Sequence, residues 1–395
     1  MCKNRIPINC IVPPHILKAM LNSDEARVRE SALRTISISE RIRGEREILG
    51  AVRSAIITNP IGTKHRSIHD AKHERLATSQ LPGTLVRDEG QAPTADASVN
   101  QAYDGLGATY DFYQNVLGRN SIDGHGMRLV ATVHFSKRFN NAFWNGKQMV
   151  FGDGDNVIFL DFTRSLDVIG HELTHGVTDF TSGLEYHNQS GALNESFSDV
   201  FGSLIKQYTR KQTVEQADWL IGAEIMAPGI GALRSMKDPG TAYDDPRLGG
   251  KDPQPKHMRD LVDLPDDELD DFGGVHINSG IPNHAFFLVA HRLGGFAWEQ
   301  AGAIWYETLH QLSPTSDFQN CADITTQVAG AKFGIGSTQQ LAVIAAWDEV
   351  GIKITVPQVV TTSQTWYRAN GGNGFELKDR LAAISEELRL AAQRI

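Results

Sequence analysis

Cysteine is scarce in this chain. Cys2, Cys10 and Cys321 are the only three in 395 residues, too few to build a disulfide framework. Long apolar runs are missing as well, and no segment approaches the roughly 20 apolar residues of a membrane-spanning helix. The opening "MCKNRIPINC" carries charge but no apolar stretch, so it does not read as a secretory signal. The expectation is synthesis in the cytoplasm as a precursor. Excess positive charge is lacking too: the formal net charge is −9, and no basic stripe suits nucleic acid. What remains is a chain long enough to bury two or three sizeable cores.

Within it stands "DVIGHELTHGVTDF", residues 167–180, which otherwise reads as a buried helix. Four residues along a helix turn through about 400°, so His171 and His175 share one face, roughly 40° apart in projection. Two neutral imidazoles there can grip one divalent metal, with Glu172 near enough to take a proton from a bound water. The bland alternative is satisfied polar residues on an amphipathic helix. A third ligand from the next turn would need Gly at 178 and His at 181, and both are Thr.

The better source is "SGALNESFSDVFGSLIKQY", residues 190–208, whose apolar residues recur at helical spacing. Glu195 and Asp199 lie four apart on this helix, where unpaired carboxylates are expensive. Either they are solvated face residues, or Glu195 binds metal while Asp199 accepts the second N–H of a ligating histidine. The latter gives a His, His, Glu zinc site with an open fourth position, as catalysis requires.

"HELTH" and "NESFSD", preceded by "NNAFWNG" and followed by "GGVHINSG", resemble the thermolysin family of zinc metalloendopeptidases. The likeness runs from about residue 100 to 353, and "INCIVPPHIL" resembles the short propeptide of the protealysin-like branch. The resemblance implies an α+β, two-lobed protease. Its N-terminal lobe is mixed α/β with antiparallel strands, its C-terminal lobe mainly α-helical, and its zinc lies in the cleft between. It implies a propeptide at 1–52, a catalytic lobe with the zinc helix at 53–180, a helical lobe at 181–353 and an extension at 354–395. The implied zinc ligands are His171, His175 and Glu195, with Glu172 as general base and Asp199 supporting a ligating histidine. Tyr186 and His276 match the two groups that bind the oxyanion, and Asp271 the carboxylate that orients His276. Asn141 and the backbone of Ala142 match the groups that hold substrate as an added strand. Arg234 matches the residue that binds the substrate carbonyl.

Phe159, Phe162, Val168, Ile221 and Leu233 match the pocket for the residue after the scissile bond. All are apolar, which implies cleavage on the amino side of a hydrophobic residue, although such residues usually mean core. Zinc is the implied cofactor. Calcium is held to at most one weak site, since of the family's carboxylate cluster only Asp167 and Asp218 remain. Lys206 stands where an acid is expected, and its ammonium could replace an ion. "GDGDN" at 152–156 is read as a hairpin turn before "VIFLDF". The implied partners are polypeptide substrates and the chain's own propeptide as intramolecular inhibitor. Cys10 is a candidate thiolate cap on the zinc. Family members are commonly extracellular, which here implies non-classical export or lysis.

The remaining organisation is coarse. Residues 14–36 read as one helix, 58–83 as an exposed linker or surface hairpin, and 237–272 as a surface loop. Residues 375–395 have the pattern of an amphipathic helix after a Gly-rich hinge. A zinc aminopeptidase and an inactive binding protein are the competing readings. The first would need an acidic group to grasp a free amino terminus, and none is evident. The second leaves Glu172, Tyr186 and His276 without a purpose.

Overall fold

A computed structural model describes residues 9–49 and 63–355. The first element, β1 (Asn9–Cys10), leads into α1 (Pro14–Leu21) and α2 (Ala26–Leu49). Pro14 sits in the first helical turn, where its missing N–H costs nothing. The single helix expected over 14–36 is two, because Asn22 ends the first and the Ser23 hydroxyl accepts from the Glu25 amide at 3.2 Å.

Strands β2 (Arg66–Asp70), β3 (Thr84–Asp88), β4 (Leu129–Val133), β5 (Ala142–Trp144) and β6 (Met149–Phe151) join β1 in one six-stranded sheet, ordered β1-β5-β6-β4-β2-β3. The sheet is mixed: β2–β4 and β4–β6 run parallel, the other pairs antiparallel. The segment read as linker or hairpin therefore supplies β2 and the turn that leads into its antiparallel partner β3. Residues 152–156 do not turn between two paired strands. Instead the Asp155 carboxylate accepts the amides of Val157, Ile158 and Phe159, and Phe159 bridges to Met226.

Helix α3 (Ala97–Leu117), capped by Asp96, packs on β2 and β4 and against α4 (Leu166–Asp179). Residues 167–178 of α4 are all buried, and α4 packs closely on α5 (Asn188–Arg210). A Cβ at Gly202 would lie 2.4 Å from the Asp167 carbonyl oxygen, so only glycine allows the two backbones to approach this closely. That approach sets the imidazoles of α4 opposite the carboxylates of α5.

A short ladder of β7 (Leu220–Ile221) with β8 (Arg234–Ser235) follows. Residues 237–272 are mostly loop, with one two-residue hairpin. Then come α6 (Asp271–Asn278), α7 (Gly280–Leu293), α8 (Ala301–Leu309), α9 (Phe318–Phe333) and α10 (Thr338–Glu349). The described residues belong to one compact unit. The expected boundary near residue 52 and the C-terminal helix lie outside the described residues, as does Cys2.

Candidate active site

Helix α4 presents His171, Glu172 and His175, and α5 presents Asn194, Glu195 and Asp199, all buried. Each histidine is held by its Nδ1: His171 by Asp199 Oδ1 at 2.8 Å, His175 by Asn194 Oδ1 at 2.8 Å. Both Nδ1 atoms are therefore donors, which leaves both Nε2 atoms as bare lone pairs. These two nitrogens face each other across 3.0 Å, and the Glu195 oxygens lie 3.4 Å from each.

Two lone pairs and a carboxylate cannot satisfy one another in a dry interior. Glu195 Oε2 and Glu172 Oε1 are buried with no hydrogen-bond partner, a costly state unless a cation supplies the missing charge. A tetrahedral zinc with bonds of about 2.0–2.1 Å has ligand atoms roughly 3.3 Å apart, close to the separations seen. The residues fit zinc.

The surrounding charges are ordered. Burial opposes ionisation of Asp199, yet Arg234 and His171 hold it well below the usual carboxylate range. Arg234 Nε and Nη2 donate to its two oxygens at 2.7 and 2.8 Å, and Asn283 adds a bond at 2.8 Å. Burial, then the charge of Glu195, push Glu172 up, while its Oε2 accepts the Trp144 amide at 2.9 Å. Burial drives His175 down to about 3, so its ring is neutral. Burial also opposes the charge on His276, but Asp271 and Glu195 outweigh it and raise His276 to about 9. Its Nδ1 meets Asp271 Oδ1 at 2.5 Å. Asp271, Phe272, Gly273 and Gly274 all adopt positive φ, the bend that aims His276 at this cluster. The Tyr186 hydroxyl donates to Glu195 Oε1 and lies 3.2 Å from His276 Nε2.

The cleft edge is strand β5, and β1 pairs with it antiparallel, Cys10 opposite Phe143. The Ile11 amide donates to the Ala142 carbonyl at 3.3 Å, and the Val12 amide to Asn141 Oδ1 at 3.1 Å. His276 Nε2 donates to the Cys10 carbonyl at 2.9 Å, and Arg234 Nη1 to the Ile11 carbonyl at 3.2 Å. The N-terminal segment thus lies along the edge as an added strand. The Cys10 side chain is not one of the zinc-like ligand cluster; it packs among Ile38, Phe135, Phe139 and Phe143.

The family described as thermolysin metallopeptidase, catalytic domain, matches residues 58–179, and its alpha-helical domain matches residues 182–352. The chain belongs to the thermolysin family of zinc metallopeptidases. An extracellular metalloprotease of Pectobacterium carotovorum subsp. carotovorum is 48% identical over 352 residues, covering 88% of this chain and 97% of that one. Protease PrtS of Photorhabdus sp. (strain Az29) is 46% identical over 353 residues, covering 87% and 92%. Among solved structures, the precursor of protealysin, a metalloproteinase from Serratia proteamaculans, matches with TM-score 0.78 at 47% identity, covering 87% of this chain and 99% of that one. The chain is a zinc metalloendopeptidase precursor.

Beside the zinc-like cluster, a buried ammonium sits among carboxylates. Lys206 Nζ donates to Asp167 Oδ2 at 2.7 Å, Asp218 Oδ1 at 3.0 Å and the Leu220 carbonyl at 2.8 Å. Phe159, Phe162, Val168, Ile221 and Leu233 are fully buried in the core that also holds Ile11 and Val12. Three parts of the site went unread in the sequence: Asn194 on His175, Asn283 on Asp199 and the Trp144 amide on Glu172. A lone Asn inside the apolar run "GIPNHAFFLVA" was the available signal for Asn283. The Trp144 amide left none, because a backbone contact has no residue type.

Proposed function

We propose that His171, His175 and Glu195 hold the zinc and that the groups around it hydrolyse internal peptide bonds. The observation that carries this is the pair of bare Nε2 lone pairs at 3.0 Å beside a buried carboxylate. When bound, zinc supplies Lewis acidity to the scissile carbonyl and lowers the pKa of a water. Glu172, with Oε2 fixed by the Trp144 amide, takes the water's proton on Oε1 and delivers it to the departing amine. The Tyr186 hydroxyl and the charged His276 donate to the oxyanion, with Asp271 orienting the imidazole. Asp199 fixes the His171 tautomer and holds Arg234, whose Nη1, on the Ile11 carbonyl here, takes a substrate carbonyl in its place. Asn141 and Ala142 pair with the substrate backbone.

Phe159, Phe162, Val168, Ile221 and Leu233 line the pocket for a hydrophobic residue on the carboxyl side of the scissile bond. Residues 1–52 act as an intramolecular inhibitor, with the catalytic lobes at 53–180 and 181–353 and an extension from 354. The support is the Asn9–Val12 stretch on β5, which takes the bonds a substrate strand needs. Lys206 replaces calcium at the Asp167 and Asp218 site. The extracellular naming of a relative supports action outside the cell, reached by non-classical export or lysis. Mass-spectrometric mapping of cleavage in casein tests the reading. Cuts before Leu, Phe and similar residues, lost in Glu172→Gln, support it; scattered cuts, or a map unchanged in Glu172→Gln, contradict it.

A further inference from the structure

We infer that His73, His134 and Asp153 form a second site for a zinc-like divalent ion, outside the cleft. Parallel pairing of β2 with β4 brings the two histidines together at the strand ends. The Ala71 amide donates to the Val133 carbonyl at 3.0 Å and the His73 amide to the His134 carbonyl at 2.9 Å. His73 and His134 both sit in the left-handed region, at φ 58° and 55°, a conformation that side chains larger than glycine adopt at a cost. That backbone sets their rings side by side, with centroids 5.0 Å apart.

Asp153 lies between them, Oδ1 2.9 Å from His134 Nδ1 and Oδ2 2.9 Å from His73 Nδ1. One ligand atom from each residue falls within 4.8 Å of the other two. On its far side His134 Nε2 donates to Asp96 Oδ2 at 2.9 Å, and the other Asp96 oxygen caps α3 through the Ser98 and Val99 amides. A carboxylate anchored on a helix start therefore fixes the tautomer that frees Nδ1 for a metal, as in other histidine–metal sites. Two imidazoles and one carboxylate suit zinc and neighbouring ions. The His73 side chain is 51% exposed, which opens the remaining vertices to water. Plain ion pairs would account for His134 between Asp96 and Asp153 and for His73 on Asp153. What they leave unexplained is the left-handed backbone at both histidines, which turns two imidazoles onto one carboxylate. A ligating imidazole nitrogen must be bare, so metal entry displaces the proton that His134 Nδ1 shares with Asp153 and strengthens with pH.

The ion would brace the 71–76 loop, whose Leu76 carbonyl accepts from Arg41 of α2 at 3.2 Å. Zinc per chain, measured by elemental analysis after equilibration in buffered micromolar zinc, tests the site on the full chain. Wild type should hold two ions, His73→Ala one and His171→Ala one, and the second wild-type ion should leave on acidification. His73→Asn, which keeps polarity in an exposed loop, should also hold one if the alanine variant folds poorly. A single ion in wild type overturns the inference, as do two ions retained in the folded His73 variants. Two ions retained in His171→Ala would instead count against the cleft assignment.

Discussion

His276 Nε2 donates to the carbonyl oxygen of Cys10 across 2.9 Å. The imidazole proposed to meet a substrate oxyanion thus already holds a carbonyl of the chain's own N-terminal segment. With Arg234 on Ile11 and Asn141 on Val12, three proposed substrate-binding groups are engaged. The chain lacking residues 1–50 should therefore hydrolyse casein much faster than the full chain. Equal rates would refute inhibition.

Helix α2 also fastens this segment. The Ser31 hydroxyl donates to the buried Asp155 Oδ2 at 2.8 Å, and the Asn140 amide donates to Thr35 Oγ1 at 2.9 Å. Losing a hydrogen bond to a buried charged group typically costs about 1.5–3 kcal/mol. Ser31→Ala should weaken binding of the separately supplied N-terminal peptide by tenfold or more, read as its inhibition constant. An unchanged constant would show that α2 does not anchor the segment.

Acid should loosen the same contact through His15. This ring is mostly buried, 3.1 Å from the Tyr243 hydroxyl, and burial lowers it to about 4. Asp271 opposes that shift, while His276, Arg234 and Lys18 reinforce it. Because the docked value lies below the ordinary 6.5, the contribution of neutral His15 is full above that pH. It is lost as pH falls towards 4, by an amount on the order of 3 kcal/mol. Inhibition by the N-terminal peptide should weaken over this window, and His15→Gln should flatten the profile. Parallel profiles for both peptides would dismiss His15 as the sensor.

Stability should not depend on calcium. Lys206 and Asp167 are both buried, and the ammonium takes two carboxylates and a carbonyl at once. Lys206→Met would strand the Asp167 carboxylate, a loss of about 3–5 kcal/mol. Thermal melting should be the same with calcium or a calcium-selective chelator, and should fall steeply in Lys206→Met. A calcium-dependent rise in the wild-type melting temperature would restore the ion to this place.

Much of the cleft was legible in the sequence because its chemistry demands fixed residue types at helical spacing. His171, Glu172 and His175 share one helix, and Glu195 and Asp199 another, so local periodicity alone aligned them. Lys206 was singled out only through the family resemblance, and it lies between Asp167 and Asp218 as an ammonium paired with two carboxylates. What escaped depends on long-range pairing. His73 and His134 are far apart in sequence and meet only through the β2–β4 ladder. "GDGDN" suggested a hairpin because turn residues do not reveal that Asp155 would accept three amides and remove the need for a paired strand. "RSIHD" left linker and surface hairpin both open, since its polar residues hide a strand whose Ser67 and Ile68 are buried.

The most direct measurement follows hydrolysis of a peptide blocked at both ends, with wild-type protein processed free of its N-terminal segment. Cleavage should proceed, stop on removal of zinc by a chelator and return when zinc is restored. Undiminished cleavage by metal-free protein, or cleavage only of peptides with a free amino terminus, would contradict the account.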